Sequence, residues 1–293
     1  MVRIKFDLEL HYQVFSPGCD FIFNIHAART RSQMVVQERL ELSQALIPQI
    51  YTDPASGNRH MRLQAWAGPL KVSYSGIVDI SHHVGVPAQI PETPVSRLPA
   101  PVLGYIYPSR YCQSDRLYKL AIGEFGHLPQ GYARVQAIQD WVRKRVAFKQ
   151  NTTNSNTSAV DTLVEQVGVC RDFAHLMIAL CRAVNIPARF ATGFDYGADP
   201  ALGPPDFHAY VEVYLGDRWY MFDPSGTAIP MGFIRLGTGR DAADVAYATI
   251  FGSVDSQPPQ IRCEAVNDAA ARFELPVHRS EALSTDEAAA RWA

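Results

Sequence analysis

From the second residue onward, apolar and polar side chains alternate. Val2, Ile4, Phe6, Leu8, Leu10 and Tyr12 are separated by Arg3, Lys5, Asp7, Glu9 and His11. A period of two puts each set on its own face of a pleated strand, so this stretch is predicted as a half-buried strand. Shorter strand-like runs follow at 21–27, 37–43, 61–67 and 70–80, with Gly57-Asn58 and Gly68-Pro69 as turn signals between them. Short strands joined this way pair antiparallel by default and predict a β-sandwich. Pro87, Pro91, Pro94, Pro99 and Pro101 then fall within fifteen residues. Proline fixes φ and removes a backbone donor, so this segment reads as a stiff linker between domains.

Beyond the prolines the period changes to three and four. Ser114-Asp115 offers a helix cap before Leu117, Leu120 and Ala121, and Tyr132, Val135, Ile138, Trp141 and Val142 line one face of a second helix. Residues 151–158 hold only Asn, Thr and Ser and read as a polar loop. Val160, Leu163, Val164 and Val167 predict a third helix ending at Gly168. A fourth runs from about Cys170 to Val184, stopped by Pro187. Strands resume at 189–192, 209–215 and 219–222. Helices first and strands afterwards predict an α+β core. The chain therefore divides into an all-β sandwich over residues 1–95 and a second domain over residues 96–293. The alanine-rich tail after Leu283 reads as a terminal helix or frayed end.

Composition narrows the possible functions. The chain has 293 residues, 47% of them apolar, and a formal net charge of −2. No basic field is available for nucleic acid or an anionic membrane, and no window reaches the ~20 apolar residues of a membrane helix. The amino terminus lacks the unbroken apolar stretch of a signal peptide. Five scattered cysteines with no CxxC pair give neither a disulfide framework nor a zinc ribbon, and suggest a reducing, cytoplasmic setting. Each cysteine is then a separate candidate nucleophile.

Cys170 is the strongest of them. In GVCRDFAHL, residues 168–176, glycine ends one helix and the cysteine opens the next. A thiol there meets free backbone N–H groups and the positive end of the helix dipole; both favour thiolate, and the same N–H groups can hold an oxyanion. The alternative for any one cysteine is an inert, buried thiol. In DFHAYVEVYLGDRWYMFDPSG, residues 206–226, Gly216-Asp217 sits between two alternating runs and reads as a two-residue hairpin turn. Counting outward pairs Leu215 with Arg218, Tyr214 with Trp219 and Tyr210 with Asp223. His208 is then the diagonal neighbour of Asp223, within reach of long side chains. A carboxylate so placed orients a histidine and stabilises its charged form. The alternative is a surface histidine and a turn-starting aspartate. The order is a cysteine, a histidine 38 residues later and an aspartate 15 later again, which suits nucleophile, base and orienter.

The surroundings of these three residues resemble the transglutaminase-like superfamily, in its bacterial cysteine-peptidase branch. The resemblance rests on GVCRDFAHLMIALCRAVNIPARF and FHAYVEVYLGDRWYMFDPSG. It is supported by YPSRYCQSDRL at 107–117, by GRDAADVAYATIFG at 239–252 and by the β-rich amino-terminal region. Tyr210 stands where many relatives carry tryptophan. The resemblance implies a papain-like core and acyl transfer through a thioester. Cys170 would attack an amide carbonyl, His208 would shuttle the proton and Asp223 would orient His208. It implies a peptide or protein amide substrate and no cofactor, nucleic acid or membrane partner. Nothing like an EF-hand cluster supports calcium activation. Hydrolysis is the preferred outcome, because water is the default acceptor and crosslinking demands an amine site that excludes it. A protein-glutamine transamidase and a non-enzymatic binding module on the same scaffold are the alternatives.

The remaining candidates read as structural. His175 points well away from Cys170 on the same helix. Cys181 is about 16 Å along that helix, too far for a disulfide with Cys170. Cys19, Cys112 and Cys263 read as packing residues, His82-His83 as a loop, and Trp141 and Trp219 as core or cleft wall. Asp206 rivals Asp223 for the orienting role, or shapes substrate access from the loop of Gly203, Pro204 and Pro205. A second oxyanion donor would come from the 151–158 loop or from Trp141.

Overall fold

The computed structural model describes residues 1–197, 201 and 205–285. Gly203, Pro204 and the end of the alanine-rich tail fall outside them.

The alternating start of the chain is β1 (Val2–Val14), whose apolar set is buried along its whole length. It is followed by β2 (Cys19–Phe23), β3 (Gln33–Leu42), β4 (Gln49–Thr52), β5 (Arg59–Ala65), β6 (Gly68–Ile80) and β7 (His83–Gly85). β1, β6 and β3 lie side by side in one sheet, and β2, β5 and β4 in another. Their inner faces meet: the Tyr12 ring lies 5.2 Å from Phe21 and 6.0 Å from Phe23. This is sheet-on-sheet packing, with interdigitated side chains as the core.

The proline segment is strapped to its neighbours. Pro91 and Ile90 accept backbone hydrogen bonds from Gly216 and Tyr132 at 2.9 and 3.0 Å. Glu92 accepts from the Arg134 guanidinium at 2.7 Å.

After it come α1 (Ser114–Phe125), α2 (Tyr132–Arg145), β8 (Ala147–Phe148), α3 (Ala159–Glu165), β9 (Val167–Gly168) and α4 (Cys170–Ala183). Nearly all of α4 is buried, which makes it the centre of the helical layer. A four-stranded antiparallel sheet follows, in the order β12 (Arg218–Phe222), β11 (His208–Leu215), β10 (Ala188–Asp195) and β13 (Phe233–Gly239). One face of it, carrying Phe190, Val211 and Val213, packs on the helices. The other face, carrying Ala191, Phe194, Tyr210 and Ile234, joins the sandwich core, with Phe6 5.5 Å from Phe194. β10 and β11 are therefore buried at every position. Finally β14 (Ala248–Phe251) pairs with β2, β15 (Val254–Ser256) and β16 (Gln260–Val266) pair with β1, and β17 (Ala282–Ser284) pairs with β7. The sandwich is thus completed by strands from beyond residue 247. No helix among the described residues is long and apolar enough to cross a membrane.

Candidate active site

Cys170 is the first residue of α4 and is partly exposed. The helix start is fixed by a fully buried carboxylate. Asp172 Oδ2 accepts the Val169 N–H at 2.9 Å and the Thr153 hydroxyl at 2.8 Å. Arg171 then ties the helix to the polar loop, donating to the Asn154 carbonyl at 3.1 Å. Gly168 has to be glycine, because an added Cβ would lie 2.7 Å from the Asp172 Cβ. The thiol donates to the carbonyl of Phe207 at 3.9 Å, which places it beside the residue before His208.

The hairpin register is the one counted from the sequence. Leu215 pairs with Arg218, Tyr214 with Trp219 and Val211 with Phe222. The turn residues Gly216 and Asp217 both have positive φ, 52° and 66°, which matches the twist of the two strands. Asp223 follows β12 directly, with its Oδ1 3.5 Å from His208 Nε2. It is held from behind: Oδ1 accepts the Ser225 N–H and hydroxyl at 3.0 and 2.6 Å, and Oδ2 accepts the Ala228 N–H at 3.2 Å.

A second carboxylate meets the same ring. Asp195, the last residue of β10, has its Oδ2 3.6 Å from His208 Nδ1. Its Oδ1 accepts the Tyr210 hydroxyl at 2.8 Å. Gly193, directly opposite His208, has no room for a side chain: an added Cβ would run into the Ile234 carbonyl oxygen. The sequence reading missed Asp195, because the connection from β10 to β11 has no short turn from which a register can be counted. Its signal was an aspartate closing an otherwise apolar strand, ARFATGFD.

These contacts shift the ionisation of His208, Asp223 and Asp195. Burial opposes the charged form of His208, but its interactions with Asp195, Cys170 and Asp223 outweigh it, so the imidazole is held well above its ordinary value. Burial also opposes ionisation of Asp223. Its close pairing with His208, with the bonds from Ser225 and Ala228, overcomes this and brings it below its ordinary value. For Asp195 burial wins over His208 and Tyr210, and the carboxyl is pushed up to about 6. The site is a buried imidazole with a carboxylate at each nitrogen and a thiol at a helix start. Such a set can form a nucleophilic thiolate and move a proton to or from a bound group.

Asp206 sits at the edge of the site, exposed, with its Oδ1 accepting the N–H of Phe207 at 2.7 Å. The other candidates lie elsewhere. His175 is sandwiched between Tyr111 and Phe190, and its Nε2 accepts the Ala242 N–H at 3.2 Å. Cys112 and Cys181 are buried in the helical core and Cys19 in the sandwich, with Cys263 half-buried on β16. Burial raises all four thiols, Cys112 to about 12. Desolvation lowers half-buried His82 to about 4, and His83 lies on β7 beside Tyr220. Trp141 packs edge-on against Phe125 beneath Arg145. Trp219 belongs to a small cluster with Tyr214 and Val102.

The sequence pattern of the transglutaminase-like superfamily matches residues 123–224, and that of the bacterial transglutaminase N-terminal domain matches residues 2–100. The crystal structure of "a Putative Cysteine Protease from Cytophaga hutchinsonii" superposes with a TM-score of 0.88 at 40% identity, over 97% of each chain. Among curated proteins, uncharacterized protein ML0607 of Mycobacterium leprae is 33% identical over 117 residues, 38% of this chain and 42% of the relative. Uncharacterized protein Rv2569c of Mycobacterium tuberculosis is 30% identical over 109 residues, 33% of this chain and 35% of the relative. The chain thus spans less than half the length of these curated relatives. The fold is the papain-like, α+β transglutaminase core preceded by a β-sandwich, as expected.

Proposed function

Since the chain belongs to the transglutaminase-like superfamily, we propose that it is a thiol-dependent acyl-transfer enzyme that hydrolyses a peptide or isopeptide amide through Cys170, His208 and Asp223. The observation that carries this reading is the His208 ring, with Asp223 3.5 Å from Nε2 and the Cys170 thiol 3.9 Å from the carbonyl of Phe207, the residue before it. The thiolate of Cys170 adds to the amide carbonyl, and N–H groups of the first turn of α4 receive the oxyanion. As the C–N bond breaks, the His208 imidazolium gives its proton to the departing nitrogen, leaving a thioester and a neutral ring. The ring then takes a proton from water as the oxygen adds to the thioester, and the acid leaves with Cys170 again as thiolate. Asp223 keeps the ring in register throughout. The similar protein's description as a cysteine protease supports hydrolysis, and a protein substrate fits the family. The five unpaired thiols support a reducing, cytoplasmic compartment.

The test is mass spectrometry of the protein and its products after exposure to a panel of glutamine-containing peptides, with and without a primary amine. Hydrolysis predicts a transient acyl group on Cys170 and released acid even when amine is present. Amine adducts in place of acid would establish transamidation instead. No acylation across the panel, with Cys170 also inert to alkylation, would favour a binding module.

A further inference from the structure

The proposed chemistry uses one of the two carboxylates at His208. The other has equally definite geometry. Gly193 pairs with His208 across β10 and β11, so Asp195, two residues on, is diagonal to His208. Asp223 holds the mirror position from the β12 side, since Val211 pairs with Phe222. Diagonal neighbours are within reach of each other's side chains. Asp195 is buried, and its Oδ2 accepts no hydrogen bond from the described residues, although a carboxylate oxygen stripped of water is costly to leave unpaired. What faces that oxygen is His208 Nδ1, 3.6 Å away. Its partner Oδ1 is fixed by the Tyr210 hydroxyl.

We propose that Asp195 is a second positioning residue for His208: it holds the Nδ1 side of the ring and its positive charge while Asp223 holds the Nε2 side, and the Tyr210 hydroxyl fixes Asp195 itself. This rests on the reading of Cys170 and His208 as the reacting pair. During acylation the thiolate charge disappears into the C–S bond and the ring gives up its proton, so the charge attractions on the imidazole weaken until the ring is protonated again in the second half-reaction. Asp195, fixed by Tyr210, remains beside Nδ1 and stabilises the charge that returns to the ring as it takes the proton from water. The groups around the pair are Asp223 after β12, Cys170 on α4, Tyr210 on β11 and Asp206 just before it, with Cys263 of β16 facing Asp195. Burial already brings the Asp195 carboxyl to about 6, so its hold on the ring relaxes in mild acid.

The test follows the His208 ring nitrogens by NMR against pH in protein with labelled histidine, with the signal identified by its loss in His208→Gln. An opposite charge at this range moves a titration by about 1–3 units. Asp195→Asn should lower the His208 midpoint by about one unit or more with the thermal midpoint retained. Tyr210→Phe, which leaves Asp195 in place but destabilises its charged form, should lower it by less. The double variant should titrate like Asp195→Asn alone. An unchanged midpoint in Asp195→Asn would overturn the inference while leaving the reacting pair standing. A Tyr210→Phe effect that persists in the Asp195→Asn background would overturn the role given to Tyr210. An ordinary midpoint in the wild-type protein, with Cys170 alkylation unchanged in His208→Gln, would remove the pair itself, and the inference with it.

Discussion

Cys170, His208 and Asp223 do different jobs in the proposed chemistry, so their removal should cost differently. Cys170→Ala should abolish turnover, with His208→Ala close behind. In a Ser-His-Asp triad, Asp→Asn costs about 10⁴ because the amide favours the wrong tautomer. A thiolate–imidazolium pair depends less on its third member, so Asp223→Asn should lower kcat by roughly 10–10³-fold. Asp206, exposed at the edge of the site, should act on KM. The check is kcat and KM for all four variants on an amide found in the peptide panel. A larger fall in kcat for Asp206→Asn than for Asp223→Asn would transfer the orienting role to Asp206. Asp223 was legible because a two-residue turn fixes the hairpin register, and the turn was visible as Gly216-Asp217. Asp195 was not, because the β10–β11 connection fixes no register, and the same diagonal rule could not be applied without one.

Two strands carry buried or half-buried charges whose effect on stability has a definite sign. Glu212 on β11 is fully buried between the guanidinium groups of Arg189, at 2.7 Å, and Arg235. Glu212→Gln removes the buried counter-charge that Arg189 and Arg235 share, which should cost about 3–5 kcal/mol. The measurement is a lower urea midpoint with an unchanged slope. Glu38 on β3 accepts from Arg59 at 2.6 and 2.9 Å and from the Tyr74 hydroxyl at 2.8 Å, joining the two sandwich sheets. Burial opposes its ionisation, but these bonds win and bring its carboxyl down to about 2. Because the folded value lies below the unfolded one, its contribution is complete above about pH 4.5 and is lost as pH falls through 2. The Tm gap between wild type and Glu38→Gln should therefore be constant near neutrality and close between pH 4 and 2; a gap independent of pH would contradict it. β1 was legible because its two faces meet different surroundings. β13 was missed because its face-to-face burial leaves no alternation in FIRLGTG. β14 and β16 were missed because they add to the sandwich from the far end of the chain, a pairing that no local pattern encodes.

Across the whole molecule, the division at about residue 95 follows the sequence, and we propose it as the boundary of two sequence units that share their packing. Phe194, Tyr210, Met221 and Ile234 of the sheet that carries His208 lie in one apolar cluster with Phe6, Leu8 and Tyr74 of the sandwich. Deleting residues 1–95 would expose that face and leave β14, β15 and β16 without the strands they pair with. The shortened chain should lose its cooperative unfolding transition and bind a hydrophobic dye. A nick at Arg97, in an exposed turn, should leave the two pieces associated through gel filtration. A deletion protein that unfolds cooperatively would show that the helical layer suffices alone. The proline segment was legible as stiff, but its docking on Tyr132 and Gly216 depends on partners far along the chain.

The central claim is that Cys170 is an activated thiol paired with His208. It is tested most directly by the site-resolved rate of iodoacetamide alkylation near pH 6, for all five cysteines in the wild type and in His208→Ala. The account predicts that Cys170 reacts well ahead of Cys19, Cys112, Cys181 and Cys263, whose burial holds them as thiols, and that the lead collapses in His208→Ala. Equal rates at all five positions, or a Cys170 rate indifferent to His208, would contradict it.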